Sequence, residues 1–143
     1  VKGYRGFSLL ELLIVVAIIL IVATIAIPSL LRSRQAANES AAVANLRSIN
    51  TAQVSYSSLI GSYGTMPEMV SAGLLDSRFT SSGASGYVLT VDLASTRLNY
   101  TAYATATSNN GGRYDYYSVP DYVIRYSTAS SRAPAGFAGT PVR

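Results

Sequence analysis

The sequence predicts an α+β chain in which one long N-terminal helix, its first half suited to a membrane, packs on a C-terminal antiparallel β-sheet of about four strands. Three observations lead there. Apolar residues crowd into the first 31 positions, a stripe at alternating spacings of four and three follows, and four runs of alternating character fill the remainder. The expected organisation is a leader over 1–6 and a helix over 7–60. Its apolar part covers 7–31 and its amphipathic part 32–60. A connecting loop with a short helix follows over 61–86, and a sheet domain with an irregular tail over 87–143.

The stretch Leu12 to Ile27, LLIVVAIILIVATIAI, has Thr24 as its only polar residue. With Phe7 to Leu10 it reaches about 20 apolar residues, enough to cross a hydrocarbon core. Lys2 and Arg5 precede the run and Arg32 and Arg34 follow it, so flanking charge does not decide orientation. A secretory signal peptide cut after Thr24-Ile25-Ala26 is a competing reading. The apolar core is longer than such peptides carry, and an acid is embedded in it.

That acid is Glu11. A carboxylate within a lipid-embedded helix costs about 2.5–3.5 kcal/mol on insertion scales, so some partner is expected to offset it. Cleavage between Gly6 and Phe7 would create an α-amino group one turn before Glu11, available within a chain or between staggered neighbours. Hydration of Glu11 near the headgroups is the alternative for a solitary chain.

A short basic leader ending in Gly6, then Phe7, Glu11, an apolar helix and Pro28 resemble the N-terminus of a type IV pilin or pseudopilin precursor. The resemblance covers Lys2 to about Ile60 well and the rest by general layout. It implies that a prepilin peptidase cuts after Gly6 and methylates the amine of Phe7. It further implies that Glu11 pairs with the Phe7 amine of a neighbouring subunit during assembly into a helical homo-oligomeric filament. The implied partners are further copies of the chain, the peptidase, and an inner-membrane assembly platform with its motor ATPase. The implied locations are the inner membrane before assembly and an extracellular filament after it. Because the chain begins with Val1, its leader is expected to be incomplete or to start from an alternative codon.

Pro28 lacks an amide hydrogen and clashes with the preceding turn, so it is expected to kink or loosen the helix, with a plain helix stop as the alternative. Beyond it, Ala42, Leu46, Ile49, Gln53, Tyr56 and Ile60 form the stripe expected to bury against the domain. Gly61 and Gly64 end the helix, Pro67 to Gly73 reads as one helical turn, and Ser81 to Gly86 as a flexible turn. Strands are expected over Tyr87 to Asp92, Tyr100 to Thr107, Arg113 to Val119 and Tyr122 to Ser127, with a tight turn at Pro120-Asp121. Tyr100, Ala102, Ala104 and Ala106 share one face, where the alanines leave room for the helix. Residues 133–143, rich in Gly and Pro, are expected to be an irregular tail. Pilins often fasten this region with a disulfide, and a chain without cysteine cannot.

Without His or Cys no ordinary nucleophile and base can be assembled, so an enzyme is not expected, nor a cofactor. Asp92, Asp115 and Asp121 are too scattered to read as a calcium site, and no metal is expected. The net charge of +4, with no cluster denser than Arg32-Ser33-Arg34, is too weak to indicate nucleic acid. Asn38-Glu39-Ser40 and Asn99-Tyr100-Thr101 fit the glycosylation pattern, which is common by chance. Tyr114, Tyr116, Tyr117 and Tyr122 suggest a surface cluster able to adhere to partners. The leading reading is a pilus subunit. A type II secretion pseudopilin and a single-pass membrane-anchored binding protein are the alternatives.

Overall fold

The computed structural model describes residues 6–81, 85–127 and 137–142. Helix α1 spans Leu9–Ile60 and α2 spans Met66–Ser71. The strands are β1 Tyr87–Leu93, β2 Tyr100–Ala106, β3 Asp115–Ser118, β4 Ile124–Ser127 and β5 Thr140–Pro141. Two compact units divide the chain between Arg34 and Gln35.

In the first unit, the large apolar side chains of α1 from Leu9 to Leu31 are exposed. The helix does not stop at Pro28, which lies inside it. Proline nonetheless deprives the Thr24 carbonyl, one turn back, of its helical donor. The one hydroxyl between Leu12 and Ile27 is satisfied within the helix, since Thr24 Oγ1 donates to the Ile21 carbonyl at 2.7 Å. A segment with no unmet side-chain donor in its middle suits a medium without water.

In the second unit the sheet is antiparallel, with its strands in chain order from β1 to β5. Ala102 is the register centre, opposite Val91 on β1 and Ser118 on β3. The expected stripe on α1 is buried at Ala42, Leu46, Ile49 and Gln53, half-buried at Tyr56, and gone at Ile60, which is 62% exposed. It meets Tyr87, Tyr100, Ala102 and Ala104, all essentially inaccessible to solvent. The small alanines admit the helix, and a fully buried Leu46 or Ile49 contributes about 1.5–3 kcal/mol.

Among the described residues, the buried polar side chains of α1 that face the sheet domain are paired. Gln53 exchanges two hydrogen bonds with the backbone of Gly64, at 2.7 and 3.0 Å. This fastens the segment after α1 against the helix it has just left. Gly64 lies so close to the Tyr56 ring that an added Cβ would come within 2.8 Å. Helix α2 opens with a reciprocal capping box between Thr65 and Glu68, and Glu68 also accepts from Arg97 at 2.9 Å, tying α2 to the β1–β2 turn. A 3₁₀ turn at Ser77–Thr80, capped by Asp76, was not anticipated.

Three expectations about the sheet need correction. The third and fourth strands are shorter than their sequence runs. Tyr122 adopts φ 62 and Asp121 Oδ1 accepts the Val123 amide at 3.0 Å, a side-chain turn that delays β4 to Ile124. The tail is not irregular throughout, because Thr140–Pro141 adds a fifth strand on β4 and the Val142 amide donates to Ile124 at 2.8 Å. Residues 128–136, which include the start of that tail, lie outside the described residues, as do residues 82–84 of the expected Ser81 to Gly86 turn.

The fifth strand is held from below. Arg125 is buried on the outer face of the sheet, where its guanidinium is gripped by Asp121 and lies 5.5 Å from the centre of the Phe137 ring. Gly139, at φ 100, lets the chain approach Tyr117, and a Cβ there would come within 2.9 Å of the Tyr117 hydroxyl. Hydrogen bonds and this stacking fasten the described end of the chain to the sheet without a disulfide.

Candidate functional site at the start of the long helix

Gly6, Phe7 and Ser8 precede α1 in non-helical backbone, and nothing lies within 4 Å of where a Gly6 side chain would project. Gly6 and Phe7 are both exposed among the described residues. Phe7 is 78% exposed.

Glu11 occupies the first turn of α1, and its carboxylate is not left unsatisfied. Ser8 Oγ accepts the Glu11 amide at 3.1 Å, while the Ser8 amide donates to Glu11 Oε2 at 2.9 Å. This is a capping box, in which two of the amides left over at a helix start are met reciprocally. An acid here also lies at the positive end of the helix dipole. Ser8 was missed in the sequence reading, although Ser8-Leu9-Leu10-Glu11 has the spacing of such a box. Glu11 Oε1 has no hydrogen-bond partner among the described residues, so one oxygen of the acid remains available.

Around the acid the helix offers only hydrocarbon. Leu9, Leu12, Leu13, Val16, Ala17 and Leu20 form one continuous apolar face. Pro28 lies well along the same helix and is not in contact with Glu11 by sequence position, at more than four turns' remove.

Other candidate residues go to structural tasks. Asp115 accepts the Ala106 amide at 2.8 Å, Asp121 grips Arg125, and Asp92 is exposed on β1. Asn38 spends its side-chain amide on the Gly111 carbonyl at 2.8 Å, whereas Asn99 is exposed. The expected tyrosine surface cluster does not exist. Tyr116 and Tyr117 are buried on opposite faces of β3, and Tyr114 is half-buried 5.0 Å from Tyr126. Only Tyr122, 45% exposed, fits the expectation. Its hydroxyl is 3.4 Å from that of Tyr63, and this contact, together with burial, pushes the Tyr63 phenol up to about 12.

Comparison with known proteins bears on this N-terminal constellation. Residues 1–27 match the model of the prokaryotic N-terminal methylation motif. The chain is 50% identical over 52 residues to the type IV major pilin protein PilA of Myxococcus xanthus, an alignment covering 36% of this chain and 24% of that protein. It is 32% identical over 121 residues to the type IV wide pilus major component PilA4 of Thermus thermophilus, covering 84% of this chain and 85% of that one. The second alignment takes in the sheet domain as well as the helix, and on that extent the chain belongs to the type IV pilin family.

Proposed function

We propose that the chain is a structural subunit of a type IV pilus or a closely related filament. The observation that carries this reading is an exposed, predominantly apolar helical segment whose single acid sits in its first turn, with one oxygen unpaired among the described residues. Family membership supports it. In this reading a prepilin peptidase cleaves after Gly6, and the amine of Phe7 is methylated. The subunit waits in the inner membrane until an assembly platform and its motor ATPase transfer it to the filament. There the apolar faces of neighbouring α1 segments exclude water from one another. Glu11 Oε1 receives the cationic amine of a neighbour's Phe7, which fixes the stagger between copies, and Pro28 lets the helix bend or loosen on packing.

The capping box refines how the acid tolerates its surroundings. Ser8 meets one oxygen inside the chain, so the neighbour's amine needs to meet only the other. A pilus is preferred to a secretion pseudopilin because both relatives are named as pilus components. A structural role is preferred to an enzymatic one on the same ground.

The test is substitution of Glu11 by Ala and by Val. Both variants should insert in the membrane and be cleaved as the parent is, yet incorporate poorly into sheared filaments. Normal filament yield from both would remove the registry role, and a mature chain retaining Gly6 would remove the processing step.

A further inference from the structure

Gln35, Asn38 and Glu39 stand at spacings of three and four on α1, so they share one face. All three reach the loop between β2 and β3. Gln35 Nε2 donates to the Asn109 carbonyl at 2.7 Å, and Asn38 Nδ2 to the Gly111 carbonyl at 2.8 Å. Glu39 takes three bonds from a single residue, from the Arg113 amide at 2.8 Å, Nε at 3.0 Å and Nη2 at 2.9 Å.

The loop is built to lie flat for this purpose. A Cβ on Gly111 would meet the Gly86 carbonyl at 2.7 Å, and one on Gly86 would meet Asn38 Nδ2 at 2.8 Å. Glu39 is 7% exposed, and a carboxylate so enclosed requires its cation. Burial alone would push its carboxyl up, but the side-chain and backbone bonds from Arg113 outweigh that and hold it below the usual value. The compact unit of the sheet domain begins at Gln35, the first of the three residues.

We propose that Glu39, flanked by Gln35 and Asn38, is a positioning residue that fixes where along α1 the domain's grip begins, and hence how much of α1 is left to pack against other copies. The inference rests on the filament reading for its consequence, though not for the clamp itself. A helix and a sheet joined only by apolar contacts can slide or fray at the margin. A buried carboxylate in a two-pronged pair with one guanidinium has one geometry.

Hydrogen exchange on the detergent-solubilised full chain tests the clamp. In Glu39→Gln and in Arg113→Ala, amides of residues 35–42 should exchange about tenfold faster, the loss of one charge-assisted interaction. Amides of β1 should keep their protection, showing that the sheet is folded. The double variant should exchange no faster than the worse single one, because each removes the same ion pair. Filaments of either variant should show an altered axial rise or a several-fold lower yield. Unchanged protection at 35–42, additive losses, or loosened clamps with filaments of unaltered rise and yield would each overturn the proposal. Absence of filaments from the unsubstituted chain would count against the filament reading instead, and the exchange data would still decide whether the clamp exists.

Discussion

A methyl group on Gly112 would stand 1.8 Å from the phenolic oxygen of Tyr87, which is fully buried and donates to the Tyr114 carbonyl at 2.7 Å. The loop that carries Arg113 is thus seated on a tyrosine that cannot step aside. Gly112→Ala should lower unfolding stability by about 3 kcal/mol, as overpacking against a held side chain does. Combining it with Tyr87→Leu, which withdraws the far end of the ring, should cost less than the sum of the two. Denaturant midpoints of the four chains measure this.

Asn50 is the hub of the buried polar group between α1 and the sheet. Its Oδ1 accepts from the Tyr100 hydroxyl at 2.9 Å, and its Nδ2 donates to Ser118 Oγ at 2.8 Å. Asn50→Leu would orphan the buried Tyr100 hydroxyl and leave Ser118 Oγ only a 3.5 Å bond to the Val119 carbonyl, and should destabilise by about 3 kcal/mol. Replacing Tyr100 by Phe in the same chain should recover part of that loss in thermal or denaturant unfolding.

Acid should weaken the domain through its paired carboxylates. The Arg125 guanidinium bonded to Asp121 holds that carboxyl below its ordinary value, and Glu39 is held below its own by Arg113. Folded values below the unfolded ones, near 3.9 for Asp and about 4.3 for Glu, mean stability fully present above those values. It is then lost as pH falls through the lower, folded ones. Urea midpoints should be flat from neutrality to about pH 5 and fall below it. Asp121→Asn and Glu39→Gln should each lower the neutral plateau and flatten the acid limb.

Phe137 is 74% exposed, yet it caps Arg125 beside the fifth strand. Phe137→Ala should remove about 0.5–1 kcal/mol of local holding. The Val142 amide should exchange faster while the global unfolding midpoint scarcely moves.

The features legible in the sequence were those written in local periodicity. The run from Leu12 to Ile27, the buried positions Ala42, Leu46 and Ile49, and the small face of Ala102 and Ala104 each repeat with the period of their own element. Three kinds of feature were not. The Glu39 clamp joins residues 74 positions apart, and no window along the chain contains both partners. The fifth strand is two residues long and includes Pro141, too short for alternation and tolerable only at a sheet edge. Burial of Tyr117 was hidden because alternation assigns one face of β3 to the core, while the other is covered by a segment that pairs only through β4.

At the start of α1, Glu11 was conspicuous because it is the lone charge in a greasy stretch. Its partner Ser8 was not, since a small hydroxyl before a helix is ordinary. Only the four-residue spacing marked it out.

Closure by Thr140–Pro141 and the Arg125–Phe137 stack leaves nothing in this fold for a reductant to attack. Dithiothreitol should leave its melting curve untouched. A chain that seals itself without sulfur can also reach its final form without waiting for a thiol oxidase.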